Sequence, residues 1–408
     1  MNVLRVIASM NPSFGGPSQG IRNSIPEQLK EGIRNEVVTL DHAEEAFIKK
    51  DTFVMHAIGK SKGPWCYHAD LLPWLKEHLP TYDYVIVHGL WLYPSYAVYK
   101  AIQYLKNTKQ RIPKVFIMPH GMLDPYFIKT KGRKLKALRN NLYWKGIESK
   151  VVHAADAVLF TCEEELLLAR KAYTPYKPQK EINTGYGIVA PPVYQETMQA
   201  AFLQHLSNPD LAKNYWLFLS RIHEKKGIDL LIKAYKQLAQ ETKASLPNLI
   251  IAGPGLDTDY AQNLKRDIDA DARVKEHIYF TGMLQHDAKW GAFYGAQAFV
   301  LPSHQENFGI SVAESLACGI PVLISDKVNI YREIEQAKAG IVAPDTIEGT
   351  LQLLRDWLEL TAAQKESMKE HAKELFQTHF NARSVAHNWK KILTSNFMLN
   401  DQKAKNPL

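Results

Sequence analysis

The chain has 408 residues, 46% apolar and 23% charged, with 22 glycines and 21 prolines, which excludes disordered, collagen-like and low-complexity architectures. Its three cysteines, Cys66, Cys162 and Cys318, are odd in number and form no CxxC. That argues against a disulfide framework or structural zinc and fits a reducing compartment.

The net charge of +8 lies in the first half. Residues 1–200 hold 26 basic and 18 acidic side chains, and residues 201–408 hold 24 of each. Length predicts two or three domains. No apolar run approaches the roughly 18 residues of a membrane span. The N-terminus MNVLRVIASMNPSFGG lacks a signal-peptide layout and reads as a first strand.

In chain order, short apolar runs predict strands at Val3–Ala8, Val37–Leu40, Tyr84–His88, Lys114–Met118 and Ala157–Thr161. The double glycine Gly15–Gly16 follows the first strand. His88 ends the third, and His120 follows the fourth. Between Lys129 and Lys150 lie eight basic residues and one acid, Glu148. Leu135, Leu138, Leu142, Tyr143 and Ile147 fall at helical spacing there, with Lys131, Arg133, Lys134, Lys136, Arg139 and Lys145 among them. A basic amphipathic helix of this kind suits an anionic membrane surface. The same pattern also fits a helix that packs on the sheet with its charges solvated.

The alternation pauses at Gly185–Tyr194 (GYGIVAPPVY), a linker signature. Strands resume at Trp216–Leu219, Asn248–Ala252, Ile278–Thr281, Ala298–Pro302 and Pro321–Ser325. Leu230, Leu231, Ala234, Tyr235 and Leu238 mark one face of a helix. The reading is an α/β protein of two doubly wound domains facing across a cleft. Their expected extents are 1–190, a linker region 191–214, and 215–379. A C-terminal helix over about 380–395 is expected to pack back on the first domain, and the last dozen residues to form a frayed tail.

Two segments carry chemistry. In AFVLPSHQENFGISVAESLACGIPVLIS, residues 298–325, a strand leads through a polar loop to Gly309 and a helix from about Ser311 to Ala317, closed by Gly319. A helix N-terminus beside a glycine is a ready phosphate site. Glu306 in the loop and Glu314 in the expected first turn are odd beside an anion unless they accept hydrogen bonds from hydroxyls, as a sugar and a ribose supply. Glu314 could instead only complement the helix dipole. In WLFLSRIHEKKG, residues 216–227, Arg221 and Lys226 follow a strand and suit phosphate oxygens. A nicotinamide dehydrogenase is rejected. NPSFGGPSQG lacks the G-x-G-x-x-G spacing, and GPG at 253–255 lacks the third glycine.

These segments resemble glycosyltransferase family 4. Glu306 to Glu314 with NFG between resembles its E-x7-E region, and SRIHEKKG its Arg…Lys-Gly phosphate loop. NLIIAGPG and IYFTGM resemble neighbouring strand ends, and MPHGMLDP its acceptor-side His segment. The resemblance implies the GT-B fold and sugar transfer from a nucleotide-sugar donor with retention, without metal or other cofactor. The implied acceptor is a saccharide or lipid-linked saccharide in cell-surface polysaccharide assembly.

Carried over, Arg221 and Lys226 hold the donor diphosphate. Glu306 contacts donor-sugar hydroxyls at the reaction centre, and Asn307, Phe308 and Gly309 form the loop facing sugar and phosphate. Glu314 binds the ribose, Gly282 and Met283 pack on the base, and Gly15 and Gly16 lie near the diphosphate. His120 lies near the anomeric carbon, where its side chain and backbone carbonyl stabilise developing positive charge. His88, Trp91 and Asp124 are the acceptor-side residues. Ser220 stands where many members have Gly, and Pro17 and Ser18 depart from the pattern after the double glycine. The implied location is cytoplasmic, peripheral on the inner membrane face, with no nucleic-acid partner. A nucleotide-sugar epimerase or hydrolase of the same fold, or a non-catalytic sugar- or nucleotide-binding protein, are the alternatives.

Overall fold

The computed structural model describes residues 1–129, 134–242 and 245–395, with the backbone alone at 129 and 134–137. The chain divides into two units, Met1–Ile188 with Ala382–Leu408, and Val189–Asn381.

The first unit is built on seven parallel strands. They are β1 (Asn2–Ile7), β2 (Arg34–Thr39), β3 (Met55–Ala57), β4 (Tyr84–His88), β5 (Lys114–Met118), β6 (Ala157–Phe160) and β7 (Glu181–Asn183). Their order is β3-β2-β1-β4-β5-β6-β7. The second unit has β8 (Tyr215–Leu219), β9 (Asn248–Ala252), β10 (Ile278–Gly282), β11 (Ala298–Leu301), β12 (Val322–Ser325) and β13 (Gly340–Ala343), in the order β10-β9-β8-β11-β12-β13. Strand order reverses between β1 and β4, and again between β8 and β11. Ligands of open α/β sheets bind at the carboxyl ends of strands at such a reversal.

Central strands are covered on both faces. β4 and β12 are buried at every residue, which is why such strands read as unbroken apolar runs. β3, β7 and β13 carry no such signature. Each lies at a sheet edge, is three or four residues long and is mostly half-exposed.

The helix Ala382–Leu393 belongs to the first unit, where Val385, Trp389 and Leu393 pack with Val3, Tyr84, Phe116 and Leu159. Residues 191–214, expected as a linker, are part of the second unit's body. The helix Glu196–Leu203 lies along His286–Tyr294 with Met198 and Phe202 buried. A Cβ on Gly291 would stand 2.1 Å from the Met198 carbonyl oxygen.

The basic stretch forms the helix Lys134–Tyr143, a π-helical turn Trp144–Glu148 and the helix Ser149–Ala154. Trp144, Val151 and Val152 anchor its end in the core, whereas Leu138 and Leu142 are 59% and 66% exposed. Lys131, Arg133 and the expected tail lie outside the described residues, as do the side chains of Lys134, Leu135 and Lys136. No helix among the described residues is long and apolar enough to cross a membrane.

Candidate functional site

In the second unit the chemistry gathers where β8 and β11 end. After β8, Arg221 is exposed and its guanidinium has no hydrogen-bond partner among the described residues. A short 3-10 turn, Glu224–Lys226, then meets Gly227 at φ +67°, which caps the helix Ile228–Glu241. A Cβ on Gly227 would lie 2.0 Å from the Pro302 carbonyl oxygen. Only glycine permits both this backbone angle and this approach of the β8 loop to the β11 loop.

The approach brings Lys226, 9% exposed, onto Glu306: its Nζ donates to Glu306 Oε2. Lys225 Nζ pairs likewise with Gln305 Oε1. The Glu306 backbone is fixed on both sides, its N–H donating to Lys327 O at 2.9 Å and its carbonyl accepting from Asn329 N at 3.0 Å. Asn329 Nδ2 lies 3.5 Å from Asn307 Oδ1. Phe308 packs edge-on against Phe380, ring centroids 5.4 Å apart, so its side chain belongs to the core and its backbone is what the loop can offer. Gly309, at φ +77°, caps the helix Ile310–Ala317 with no side-chain cap. The N–H groups of Ile310 and Ser311 are therefore available to an anion, while that of Val312 donates to Gly309 O at 2.9 Å.

Glu314 differs from the sequence expectation. It is the fifth residue of that helix, beyond the first turn where the dipole acts. Its partner is Lys289, whose Nζ donates to Oε1 at 2.8 Å and stands 3.9 Å from the Trp290 ring centroid. Both acids are thus answered by lysines. Lys289 carries no sequence signal, because the fold brings it in from the helix His286–Tyr294. Gly282 ends β10 at φ +75° and its carbonyl accepts from Gly253 N at 2.8 Å. Met283 beside it is 56% exposed.

In the first unit, Gly15 at φ +90° caps the helix Gly16–Lys30 with no side-chain cap, and open space surrounds the Cβ position of both glycines. His88 ends β4, and its Nδ1 lies 2.9 Å from His120 Nε2. His120 sits at φ +53°, an uncommon angle for a side-chain-bearing residue, of the sort that clusters at functional sites. Behind His88 lies Arg5, Nη1 to Nε2 at 3.1 Å. Sequence reading passed over Arg5, although a lone charge inside the buried run VLRVI is itself a signal.

His88 also lines a cavity of about 540 Å³ with Ser9, Asp41, His42, Lys60 and Ser61. Asp41 is held by Ser9 Oγ and Thr39 Oγ1, each at 2.6 Å, and by Met10 N at 2.7 Å. Trp91 lines a different cavity of about 380 Å³, with Phe127, Arg139 and Tyr173. Asp124 is buried and accepts from Tyr126 N at 2.8 Å, so it caps its own turn.

Residues 201–375 match the family model Glycosyl transferases group 1. An uncharacterized glycosyltransferase of Methanocaldococcus jannaschii is 32% identical over 146 residues, 35% of this chain and 36% of that protein. The D-inositol 3-phosphate glycosyltransferase of Jonesia denitrificans is 25% identical over 245 residues, 57% of this chain and 56% of that protein. The matches thus span little more than a third and little more than half of these relatives. The structure of Anabaena HepE in complex with UDP matches with a TM-score of 0.71 at 16% identity, covering 97% of this chain and 100% of that one. The same protein is also solved with UDP-glucose. At that identity the likeness establishes the fold, GT-B.

Trp91, at φ +70°, donates its N–H to Glu148 Oε1 at 2.7 Å, and Ser95 Oγ donates to the same oxygen at 3.0 Å. Glu148 Oε2 is buried without a partner among the described residues, and burial pushes the carboxyl from 4.5 up to about 7. The folded protein therefore binds this proton more tightly than the unfolded chain. The resulting stability is fully present below about pH 4.5 and is lost as pH rises through about 7. Urea unfolding at pH 5 and pH 8 should show wild type losing on the order of 2–3 kcal/mol relative to Glu148→Gln across that interval. Equal pH slopes for the two proteins would contradict the assignment.

Proposed function

We propose that the protein is a retaining, metal-independent hexosyl- or related glycosyltransferase of the family 4 type. It moves a sugar from a nucleoside-diphosphate sugar to a saccharide or lipid-linked saccharide acceptor, in cell-surface polysaccharide assembly. The observation that carries this is the set at the β8 and β11 ends: Lys226 held against Glu306, Arg221 in the same β8 loop with no hydrogen-bond partner among the described residues, and a helix N-terminus without a side-chain cap. This is cationic equipment for a diphosphate next to a carboxylate for hydroxyls.

In this reading Arg221 and Lys226 neutralise charge on the leaving nucleoside diphosphate, the role a metal fills elsewhere. Glu306 orients donor-sugar hydroxyls as the centre becomes oxocarbenium-like. The 307–309 loop contributes its backbone, Glu314 takes the ribose, and Gly282 and Met283 meet the base. In the first unit Gly15 and Gly16 lie near the diphosphate and acceptor, and His120 serves the reaction centre. His88, Trp91 and Asp124 shape the acceptor side, Asp124 through the turn it caps.

A transfer assay tests the roles. Excess EDTA should leave the rate unchanged. Glu306→Gln should lower kcat about 10²–10³-fold, the usual cost of one preorganised transition-state contact, with a smaller effect on nucleotide affinity. Glu314→Gln should chiefly weaken nucleotide binding. A Glu306→Gln enzyme with near wild-type turnover, or a rate abolished by EDTA and restored by Mg²⁺, would overturn the scheme. Sugar release that no acceptor accelerates would favour a hydrolase.

The exposed Leu138 and Leu142, with Arg139 and Lys145 among them, support docking of residues 129–150 on an anionic membrane surface at its cytoplasmic face. Vesicles rich in anionic lipid should co-sediment the protein at low salt and release it at high salt. No binding at low salt, or binding unchanged when Arg133, Lys134 and Lys136 become Glu, would contradict the docking.

A further inference from the structure

The first unit buries a cation with no anion bonded to it among the described residues. Arg5 is 2% exposed in the middle of β1. Among the described residues its guanidinium donates only to neutral acceptors: Nε to Asn35 Oδ1 at 2.9 Å, Nη2 to Gln28 Oε1 at 2.8 Å and Nη1 to His88 Nε2 at 3.1 Å. The Trp389 ring lies 5.7 Å away. Burial pulls the Arg5 pKa down to about 9, so the charge persists at neutral pH.

An arginine can only donate. His88 Nε2 must therefore present its lone pair, and the single proton of a neutral His88 sits on Nδ1. That N–H points along the 2.9 Å contact to His120 Nε2. His120 Nε2 is in turn an acceptor, so a neutral His120 carries its proton on Nδ1. His120 Nδ1 has no hydrogen-bond partner among the described residues, and the residue is half-buried.

We propose that Arg5, His88 and His120 form a one-way hydrogen-bond relay. Arg5 locks both rings as neutral Nδ1–H tautomers, and His120 presents a standing N–H donor to an electron-rich oxygen, a hydroxyl or a phosphate.

Two further features favour this arrangement. The backbone beside His120 is clamped, because Gly121 N–H donates to the Glu165 carboxylate, which also accepts from Thr161 N and Oγ1. The ring is thereby held in place despite its left-handed backbone. Protonating either ring would also set a second cation beside Arg5. Burial together with Arg5 depresses both histidines, His88 well below its ordinary value and His120 to about 3.

The titratable groups around the pair do not reverse this. Glu165 is turned to the Gly121 and Thr161 donors, and Tyr186 donates its hydroxyl to Gly16 O at 2.6 Å. Asp41, His42, Glu45, Lys60 and Cys66 share the cavity wall with His88. None of them is hydrogen-bonded to either ring. Histidines backed by a carboxylate become more basic, and this pair, backed by a cation, does the reverse. On the glycosyltransferase reading, from which this consequence follows, His120 anchors a donor or acceptor oxygen and removes no proton. Arg5 is then a positioning residue.

The test is imidazole ¹⁵N NMR of the full-length, histidine-labelled protein, with the two rings assigned by their loss in His88→Asn and His120→Asn. The expected result is pyrrole-type Nδ1 and pyridine-type Nε2 in both rings, with neither titrating between pH 5 and 8. An Nε2–H tautomer, or titration of either ring in that range, would overturn the relay. Arg5→Met should release the tautomers, so that Nε2–H signatures appear in the two rings. Arg5→Lys, which keeps a donor, should not. If Arg5→Met fails to fold, the wild-type spectra decide alone. Correct tautomers in a protein that transfers no sugar would refute the enzyme reading and leave the relay standing.

Discussion

Lys226 is nearly buried, and a buried ammonium must be answered within hydrogen-bonding reach. Glu306 answers it, and much of the second unit's strand-end geometry serves that contact. Gly227 lets the β8 loop lie against the Pro302 carbonyl. The backbone bonds of Glu306 to Lys327 and Asn329 hold the carboxylate in register. A buried ion pair adds little to stability compared with apolar packing, so its retention calls for another account. On the proposed function, the pair keeps the phosphate cation and the hydroxyl-binding acid in place, and the donor's diphosphate and sugar take over each partner.

The first unit meets the same constraint by another route. Arg5 is surrounded by Asn35, Gln28 and His88, acceptors without charge. With no carboxylate bonded to it, the cation polarises its neighbours in one direction, toward His120. Lys226 is poised to exchange partners, whereas Arg5 is fixed in a closed set of bonds. One arrangement suits a ligand contact and the other suits holding a group that makes one.

Ten strands were legible from short apolar runs, most of them because central parallel strands are covered on both faces, and β10, an edge strand, because it is five residues long and opens on Ile278, Tyr279 and Phe280. β3, β7 and β13 were not, since a half-exposed edge strand of three or four residues leaves no such run. The helix Ile310–Ala317 was legible from Gly309 and Gly319, whose positive φ angles start and stop it. Arg221, Lys226 and Glu306 stood out as charged residues in loops after strands, and Glu314 as an acid of the following helix, one turn further in than the sequence suggests. What stayed hidden was pairing. Lys289 reaches Glu314 from another helix, and Arg5 meets residues 23, 30 and 83 positions away. Residues 191–214 looked like a linker because two prolines, Pro191 and Pro192, open them. Their helix is instead fixed by the close approach at Gly291, which no local pattern reveals.

On the proposed function, Lys226 binds a nucleoside diphosphate and Glu306 competes for it. Isothermal titration of wild type, Lys226→Met and Glu306→Gln with UDP and GDP tests this directly. For the nucleotide that binds, the two substitutions should act in opposite directions. Lys226→Met should weaken affinity about tenfold or more, a loss of at least about 1.4 kcal/mol, and Glu306→Gln should tighten it by releasing the lysine. Unchanged affinity in Lys226→Met, or equal weakening in both variants, would contradict the account.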